Sequence, residues 1–144
     1  MMSGKCLLVI VFLSACSLPV KSKPTYGNIV INEISSIYDA DTFRATIPGW
    51  PEIIGSRISI RVLGVDAPEL RAKCEAEKIG ARKAKKFTVQ MLRSGKVIEL
   101  RNIQRGKYFR ILADVFVDGV SLGGELIKGG FARVYDGGKR KGWC

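Results

Sequence analysis

The chain has 144 residues, with 24 Lys or Arg against 13 Asp or Glu, which gives a formal net charge of +11. A prior of about 150 residues per domain predicts a single domain. Hydrophobic residues make up 47% and charged residues 26%, a globular balance that argues against disorder. The chain contains no histidine, which excludes Ser-His-Asp and Cys-His triads, histidine-ligated zinc and histidine general bases. Any chemistry must therefore use carboxylates, arginines, hydroxyl groups, the backbone or a hard metal ion.

Residues 1–15 have the pattern of a secretory signal peptide. Lys5 supplies a positive charge, residues 6–13 form an unbroken apolar run, and small residues follow. That run is too short to cross a membrane, which needs about 20 apolar residues. Residues 13–16, Leu-Ser-Ala-Cys, also resemble a bacterial lipobox with Cys16 as the lipidation site; ordinary cleavage nearby is the alternative.

These features predict an exported protein with residues 16–27 as a tether and residues 28–144 as its domain. A lipid on Cys16 would anchor it to the membrane of the cell envelope. Without the lipid, the protein would be periplasmic or secreted.

The cysteine count predicts one disulfide bond. Cys6 lies in the leader and Cys16 is the candidate lipid site, which leaves Cys74 and Cys144. In an oxidising compartment these two can pair in only one way, and two free thiols are the alternative. The bridge would anchor the tail, residues 137–143, against the start of a helix.

The hydrophobic pattern predicts five strands and two helices. Between residues 57 and 62, apolar and polar residues alternate strictly, which indicates a half-buried strand with a cationic outer face. Residues 48–55 read as a loop and Asp118-Gly119 as a turn. The predicted strands are 28–38, 42–47, 57–62, 96–102 and 109–117, and the predicted helices are 74–93 and 121–128.

The longer helix has an apolar stripe at helical spacing, formed by Ala76, Gly80, Ala84, Phe87 and Met91. Gly95 is its predicted end, and Ser121 is the predicted cap of the shorter helix. Five short strands with a helix after the third predict an α+β, mainly β, fold. We expect a five-stranded OB-type β-barrel with packed α-helices.

Four of the acids are concentrated in two motifs, Asp39-Ala40-Asp41-Thr42 and Asp66-Ala67-Pro68-Glu69, each at a predicted strand end. Converging carboxylates repel one another unless a cation lies between them. A cluster of oxygen ligands selects Ca²⁺ or Mg²⁺ over zinc or copper. Two Asx turns are the alternative for either motif alone, but the pair, with Arg61 on a polar strand face, favours a metal site.

The surrounding charge predicts a polyanionic substrate, because an acidic metal site in a cationic protein suits a ligand that the metal bridges. Residues 107–110, Lys-Tyr-Phe-Arg, combine two cations with two aromatic rings. That combination is what phosphate binding together with base stacking requires.

These motifs resemble those of the staphylococcal (micrococcal) nuclease, or thermonuclease, family. The resemblance covers roughly residues 28–135 and preserves the order of the motifs. It comprises Tyr-Asp-Ala-Asp-Thr at 38–42, Ile-Arg-Val-Leu-Gly-Val-Asp-Ala-Pro-Glu at 60–69, Lys-Tyr-Phe-Arg at 107–110 and Gly-Gly-Phe-Ala-Arg-Val at 129–134.

The resemblance implies an OB-type barrel that cleaves phosphodiester bonds in DNA and RNA with Ca²⁺. By position, it implies that Asp41 and Asp66 bind calcium together with the backbone carbonyl of Ala67. Asp39 then matches an acid close to the metal. Arg61 and Arg110 match the catalytic arginines that bind phosphate, and Glu69 matches the catalytic glutamate. We expect Lys107 and Tyr108 to contact substrate and the protein to be a monomer.

The chemistry of these residues agrees with that assignment. Guanidinium groups bind phosphate oxygens in pairs, and Glu69 can either take a proton from the attacking water or orient it. The chain departs from the family at Phe109, where a glycine is common, in the longer segment 48–55, and in having no room for a third helix before Cys144. The alternatives are a catalytically inactive OB-type module that binds nucleic acid and an envelope lipoprotein whose basic surface binds anionic polymers or lipid headgroups.

Overall fold

The computed structural model describes residues 22–144 as three helices and nine strands. The predicted signal peptide, Cys16 and the first part of the predicted tether lie outside the described residues. The strands are β1 (Ile29–Ile31), β2 (Glu33–Ile37), β3 (Thr42–Thr46), β4 (Ile58–Val62), β5 (Val65–Asp66), β6 (Ile98–Arg105), β7 (Ile111–Val117), β8 (Val120–Ser121) and β9 (Arg133–Val134). The helices are α1 (Glu52–Gly55), α2 (Glu75–Ser94) and α3 (Leu122–Lys128).

The main sheet is curled, and its two end strands are consecutive in the chain. Its strand order is β1-β6-β7-β4-β3-β2, so β1 and β2 lie at opposite ends. In the chain, however, only Asn32 separates these two strands. Residues 29–37 therefore form one continuous segment whose first half pairs with β6 and whose second half pairs with β3.

With that segment counted once, five strands form the barrel, and α2 follows the third of them. The predicted α+β, mainly β, barrel is confirmed. The sequence predicts one continuous strand at residues 28–38, and the structure interrupts it at Asn32, where the pairing partner changes from β6 to β3. Tyr26 and Gly27, in the predicted tether, also exchange backbone hydrogen bonds with Ile103 of β6, with N–O distances of 2.7 and 3.2 Å.

The core lies inside the barrel and beneath the helices. Alternate residues of β4 and β7 point inward and are buried, which is the period-2 pattern of a half-buried strand. Phe43, Ile60 and Leu100 are fully buried at the centre.

The buried face of α2 differs from the predicted stripe. Ala81, Ala84, Thr88 and Leu92 are buried, Phe87 and Met91 pack at the edge of the core, and Ala76 is exposed. The predicted stripe is therefore confirmed in the second half of the helix and wrong at Ala76. Toward its start the helix faces a loop instead of the barrel, since Gly80 in its second turn lies beside Pro68.

Turn chemistry fixes the ends of several elements. Gly95 ends α2, and an added Cβ there would collide with the Val117 side chain. Asp118 and Gly119 both have positive φ, 50° and 82°, as the tight turn between β7 and β8 requires. Ser121 caps α3 by accepting a hydrogen bond from the Gly124 N–H at 3.1 Å.

Residues 52–55 form the short helix α1 where sequence analysis expected only loop. Four residues are too few to show a helical period, so the pattern gave no signal there. Within residues 22–144, we find no helix that is both long and apolar enough to span a membrane.

Candidate active site

The first acidic motif is held by a tight turn before β3. The Tyr38 and Asp39 N–H groups both donate to the Thr42 carbonyl, at 2.9 and 3.2 Å. The Asp39 carboxylate accepts from the Asp41 N–H at 3.3 Å, so an Asx turn is present as well as an acidic cluster. From the helix above, the buried Thr88 hydroxyl donates to the Ala40 carbonyl at 2.8 Å and fixes the turn against α2.

Strand pairing brings the two acidic motifs together. Asp41 and Asp66 are 2% and 4% exposed, so both carboxylates are almost fully removed from solvent. Arg61, paired with Thr42 across β3 and β4, extends between them. Its Nη2 lies 3.0 Å from Asp41 Oδ2 and 3.9 Å from Asp66 Oδ1, and its Nη1 donates to Asp41 Oδ1 at 3.2 Å.

The second motif places two further oxygen groups beside these carboxylates. Ala67 is buried, and its N–H donates to Asp41 Oδ2 at 3.2 Å. Glu69 is exposed, and its N–H donates to the Glu77 carboxylate at 3.1 Å. Direct contacts thus join Ala67 to Asp41 and Arg61 to both Asp41 and Asp66, while Glu69 lies in the wall of the cavity beside them.

Negative charge is crowded at this point. Burial, and then the neighbouring Asp41 carboxylate, raises the pKa of Asp39 to about 7. A divalent cation would relieve that crowding, and the available donors are carboxylate and carbonyl oxygens, the ligands of Ca²⁺ and Mg²⁺. The residues that meet here fit a hard metal ion.

A cavity of about 560 Å³ opens beside the acidic cluster. Asp39, Arg61, Glu69 and Arg110 all line it, so the structure brings both predicted catalytic arginines and the predicted catalytic glutamate to one cavity. Tyr38, Arg44, Arg71, Tyr135 and Arg140 also contribute to its wall. A cavity with several guanidinium groups can bind a phosphate of a nucleic acid.

Lys107 and Tyr108 lie outside that lining, on the loop between β6 and β7. Tyr108 is 90% exposed, and the Lys107 carbonyl accepts from the Arg110 N–H at 3.2 Å. Tyr108 and Phe109 have φ values of 56° and 58°. Phe109 therefore adopts the left-handed backbone conformation that favours glycine, although it carries a side chain. The backbone conformation that a glycine would readily adopt is thus kept immediately before Arg110.

A disulfide joins Cys74 and Cys144, with Cα atoms 5.9 Å apart. Cys74 is the cap residue of α2, so the bridge holds the C-terminal tail against the start of that helix, as the cysteine count predicts. Glu77 lies close to both sulfur atoms. Sulfurs joined in a disulfide carry no thiolate, and this trio is therefore not a metal site.

The tail adds two site residues that sequence analysis missed. Arg140 forms hydrogen-bonded ion pairs with Asp66 and with Glu69, and its Nη2 donates to the Ala67 carbonyl at 3.2 Å. The Trp143 indole N–H donates to Asp66 Oδ2 at 3.2 Å. The signal available in the sequence was the basic run Lys139-Arg140-Lys141 beside a predicted disulfide. Such a run does not show which of its three basic side chains contacts the acidic motif.

Comparison with known proteins finds similarity to a nuclease family and to two endonucleases. Residues 59–142 match the family described as staphylococcal nuclease homologues. The chain is 34% identical over 98 residues to the SPbeta prophage-derived endonuclease YokF of Bacillus subtilis, and 37% identical over 82 residues to the endonuclease YncB of the same organism. These matches cover 67% and 56% of this chain but only 31% and 39% of the two relatives.

Proposed function

The chain belongs to the staphylococcal nuclease family, and we propose that it hydrolyses phosphodiester bonds in DNA and RNA with Ca²⁺ as cofactor. One observation carries this proposal: Arg61, Arg110 and Glu69 surround one cavity next to the buried carboxylates Asp41 and Asp66. The names of the two endonuclease relatives support it. The chain spans only 31% and 39% of the two relatives, so the proposal depends on the residues of the site itself.

The metal would be held by Asp41, Asp66 and the Ala67 carbonyl, with Asp39 close by. A metal bound there would neutralise charge on the phosphate and on the oxygen of the attacking water. Preference for Ca²⁺ over Mg²⁺ is carried over from the family, because carboxylates alone bind either ion.

The remaining chemistry is assigned to side chains of the cavity. Attack on a phosphodiester builds negative charge on its oxygens, and Arg61 and Arg110 bind those oxygens. Glu69 is the more exposed of the two carboxylates that line the cavity, so it takes a proton from the attacking water or orients that water. Lys107 and Tyr108 extend the binding surface beyond the cavity, where a base can stack on the exposed Tyr108 ring.

The test is hydrolysis of DNA and of RNA by purified oxidised protein with Ca²⁺, with Mg²⁺ and with excess chelator. We expect cleavage with Ca²⁺ and its loss with chelator. Glu69→Gln and Arg110→Ala should each lower turnover at least about a hundredfold, as removal of a proton-transfer group or a charge-stabilising donor does.

Matched controls are Glu52→Gln on α1 and Arg105→Ala at the end of β6, which make the same chemical changes outside the cavity. Full activity in chelator would refute the metal site. Binding of DNA without cleavage would instead identify the inactive nucleic-acid-binding module.

We also propose export, with residues 1–15 as the signal peptide and lipidation at Cys16. The Cys74–Cys144 disulfide supports this proposal, since such bonds persist in oxidising compartments. Mass spectrometry of the mature N-terminus should find a lipid-modified Cys16, and Cys16→Ser should release the protein from the membrane fraction. An N-terminal peptide that still contains residues 1–15 would contradict export.

A further inference from the structure

The tail that follows β9 returns to the acidic cluster and is held there at three places. β9 pairs with β5 in the register Asp66↔Arg133, so the tail starts beside the metal site. The Arg133 guanidinium lies 3.6 Å from the centre of the Trp143 ring and donates to the Gly142 carbonyl at 3.0 Å. The disulfide fixes Cys144 to the start of α2.

Arg140 occupies the oxygen atoms that the metal would use. Its guanidinium contacts Asp66 Oδ1, the Ala67 carbonyl and Glu69 Oε1, while Trp143 takes the second oxygen of Asp66. Two of these groups are the proposed metal ligands Asp66 and Ala67. The tail therefore engages both carboxylate oxygens of Asp66.

A guanidinium group and a divalent cation compete for those oxygens, because both are positive and would repel each other when held against the same carboxylate. Arginine remains charged at every accessible pH, so protonation cannot remove the competition. The attachment of the C-terminal tail matters as well, because a group that is held next to its binding site acts at a high effective concentration.

We propose that Arg140 is a tethered competitor of the metal and that it determines the metal affinity of the site. Metal binding must displace Arg140 from Asp66, and the disulfide sets how readily the tail returns. This inference rests on the proposed metal site. Coupling between two ligands is reciprocal, so the metal must loosen the tail as much as the tail weakens metal binding.

The test is calcium titration by calorimetry on the oxidised mature protein without nucleic acid. Arg140→Gln removes the charge and leaves a shorter, neutral polar side chain. Lys141→Gln is the matched control, since it makes the same change of charge three residues from Cys144 while Lys141 makes none of the ion pairs found among the described residues. We expect Arg140→Gln to bind Ca²⁺ at least about tenfold more tightly than Lys141→Gln, because hydrogen bonds to charged groups are lost only in the former.

Reduction of the disulfide gives an independent arm. It should raise the calcium affinity of the parent protein and leave that of Arg140→Gln nearly unchanged, since the two changes release the same contact. Hydrogen exchange of residues 137–143 in the parent protein should become faster when Ca²⁺ is added.

Equal calcium affinity in Arg140→Gln and Lys141→Gln, or slower exchange of the tail with Ca²⁺, would overturn the competition. Either result would make Arg140 part of the loaded site instead. Calcium binding by none of the proteins would refute the proposed metal site and, with it, this inference. Normal calcium affinities without DNA or RNA cleavage would refute only the proposed activity.

Discussion

Thr88→Val tests whether the acidic turn is held by one hydrogen bond from α2. Thr88 is fully buried, and its hydroxyl donates at 2.8 Å to the carbonyl of Ala40, which is also fully buried. Valine has nearly the same shape, so packing is kept while the bond is lost. The Ala40 carbonyl would remain buried without its donor, which costs about 1–3 kcal/mol.

The assay is urea unfolding of the oxidised protein, with Thr88→Ser as the matched variant. Serine keeps the hydroxyl and loses one methyl group, a change of about 0.8 kcal/mol plus a small cavity term. We expect Thr88→Val to lower the free energy of unfolding by about 2 kcal/mol and to weaken calcium binding, because Ala40 lies between Asp39 and Asp41. Thr88→Ser should leave calcium binding close to that of the parent protein.

A Thr88→Val protein as stable as the parent would refute this reasoning. It would mean that the Ala40 carbonyl finds another donor or reaches water when the hydroxyl is absent. Weaker calcium binding in Thr88→Ser than in Thr88→Val would also refute it, since the hydroxyl would then not be the group that holds the turn.

Two further predictions concern stability. The disulfide spans 70 positions, so Cys144→Ser should lower the free energy of unfolding by at most about 4 kcal/mol. Urea unfolding of the reduced parent protein is the control. Equal stability of the oxidised parent, the reduced parent and Cys144→Ser would contradict the prediction. Hydrogen bonds from the Val97 and then the Lys96 N–H groups lower the pKa of Asp118, so its stabilising effect is present above about pH 4 and is lost as the pH falls through the lowered pKa. Asp118→Asn should therefore be less stable than the parent at pH 7, with a difference that shrinks in unfolding measurements below pH 4; a difference independent of pH would be the contrary result.

The sequence predicts those parts of the molecule that depend on local pattern. Alternation in residues 57–62 locates β4 and places Arg61 on its polar face, where the structure has it. The pair Asp118-Gly119 predicts the turn between β7 and β8 because positive φ favours these residue types. The two acidic motifs are short and recognisable, and strand pairing then brings them together.

The contacts that escape prediction join residues far apart in the chain. Arg140 and Asp66 are 74 positions apart, and their pairing depends on the path of a tail that has no periodic pattern. No pattern in the sequence assigns a partner to Trp143. In the structure its ring lies against Arg133 and its indole N–H donates to Asp66. The exposure of Ala76 has the same origin, because a helical stripe shows which residues share a face but not where the helix leaves its neighbour.

The change of pairing partner at Asn32 has a consequence for how the barrel opens. Since residues 29–37 pair with β6 at one rim and with β3 at the other, detachment of this segment would remove the partner of both strands at once. Two strand edges would then become available together for pairing with another chain, the usual start of aggregation. Because residues 29–37 join the two ends of the sheet, we expect the amide protons of β3 and β6 that pair with them to exchange in one cooperative unit of local unfolding.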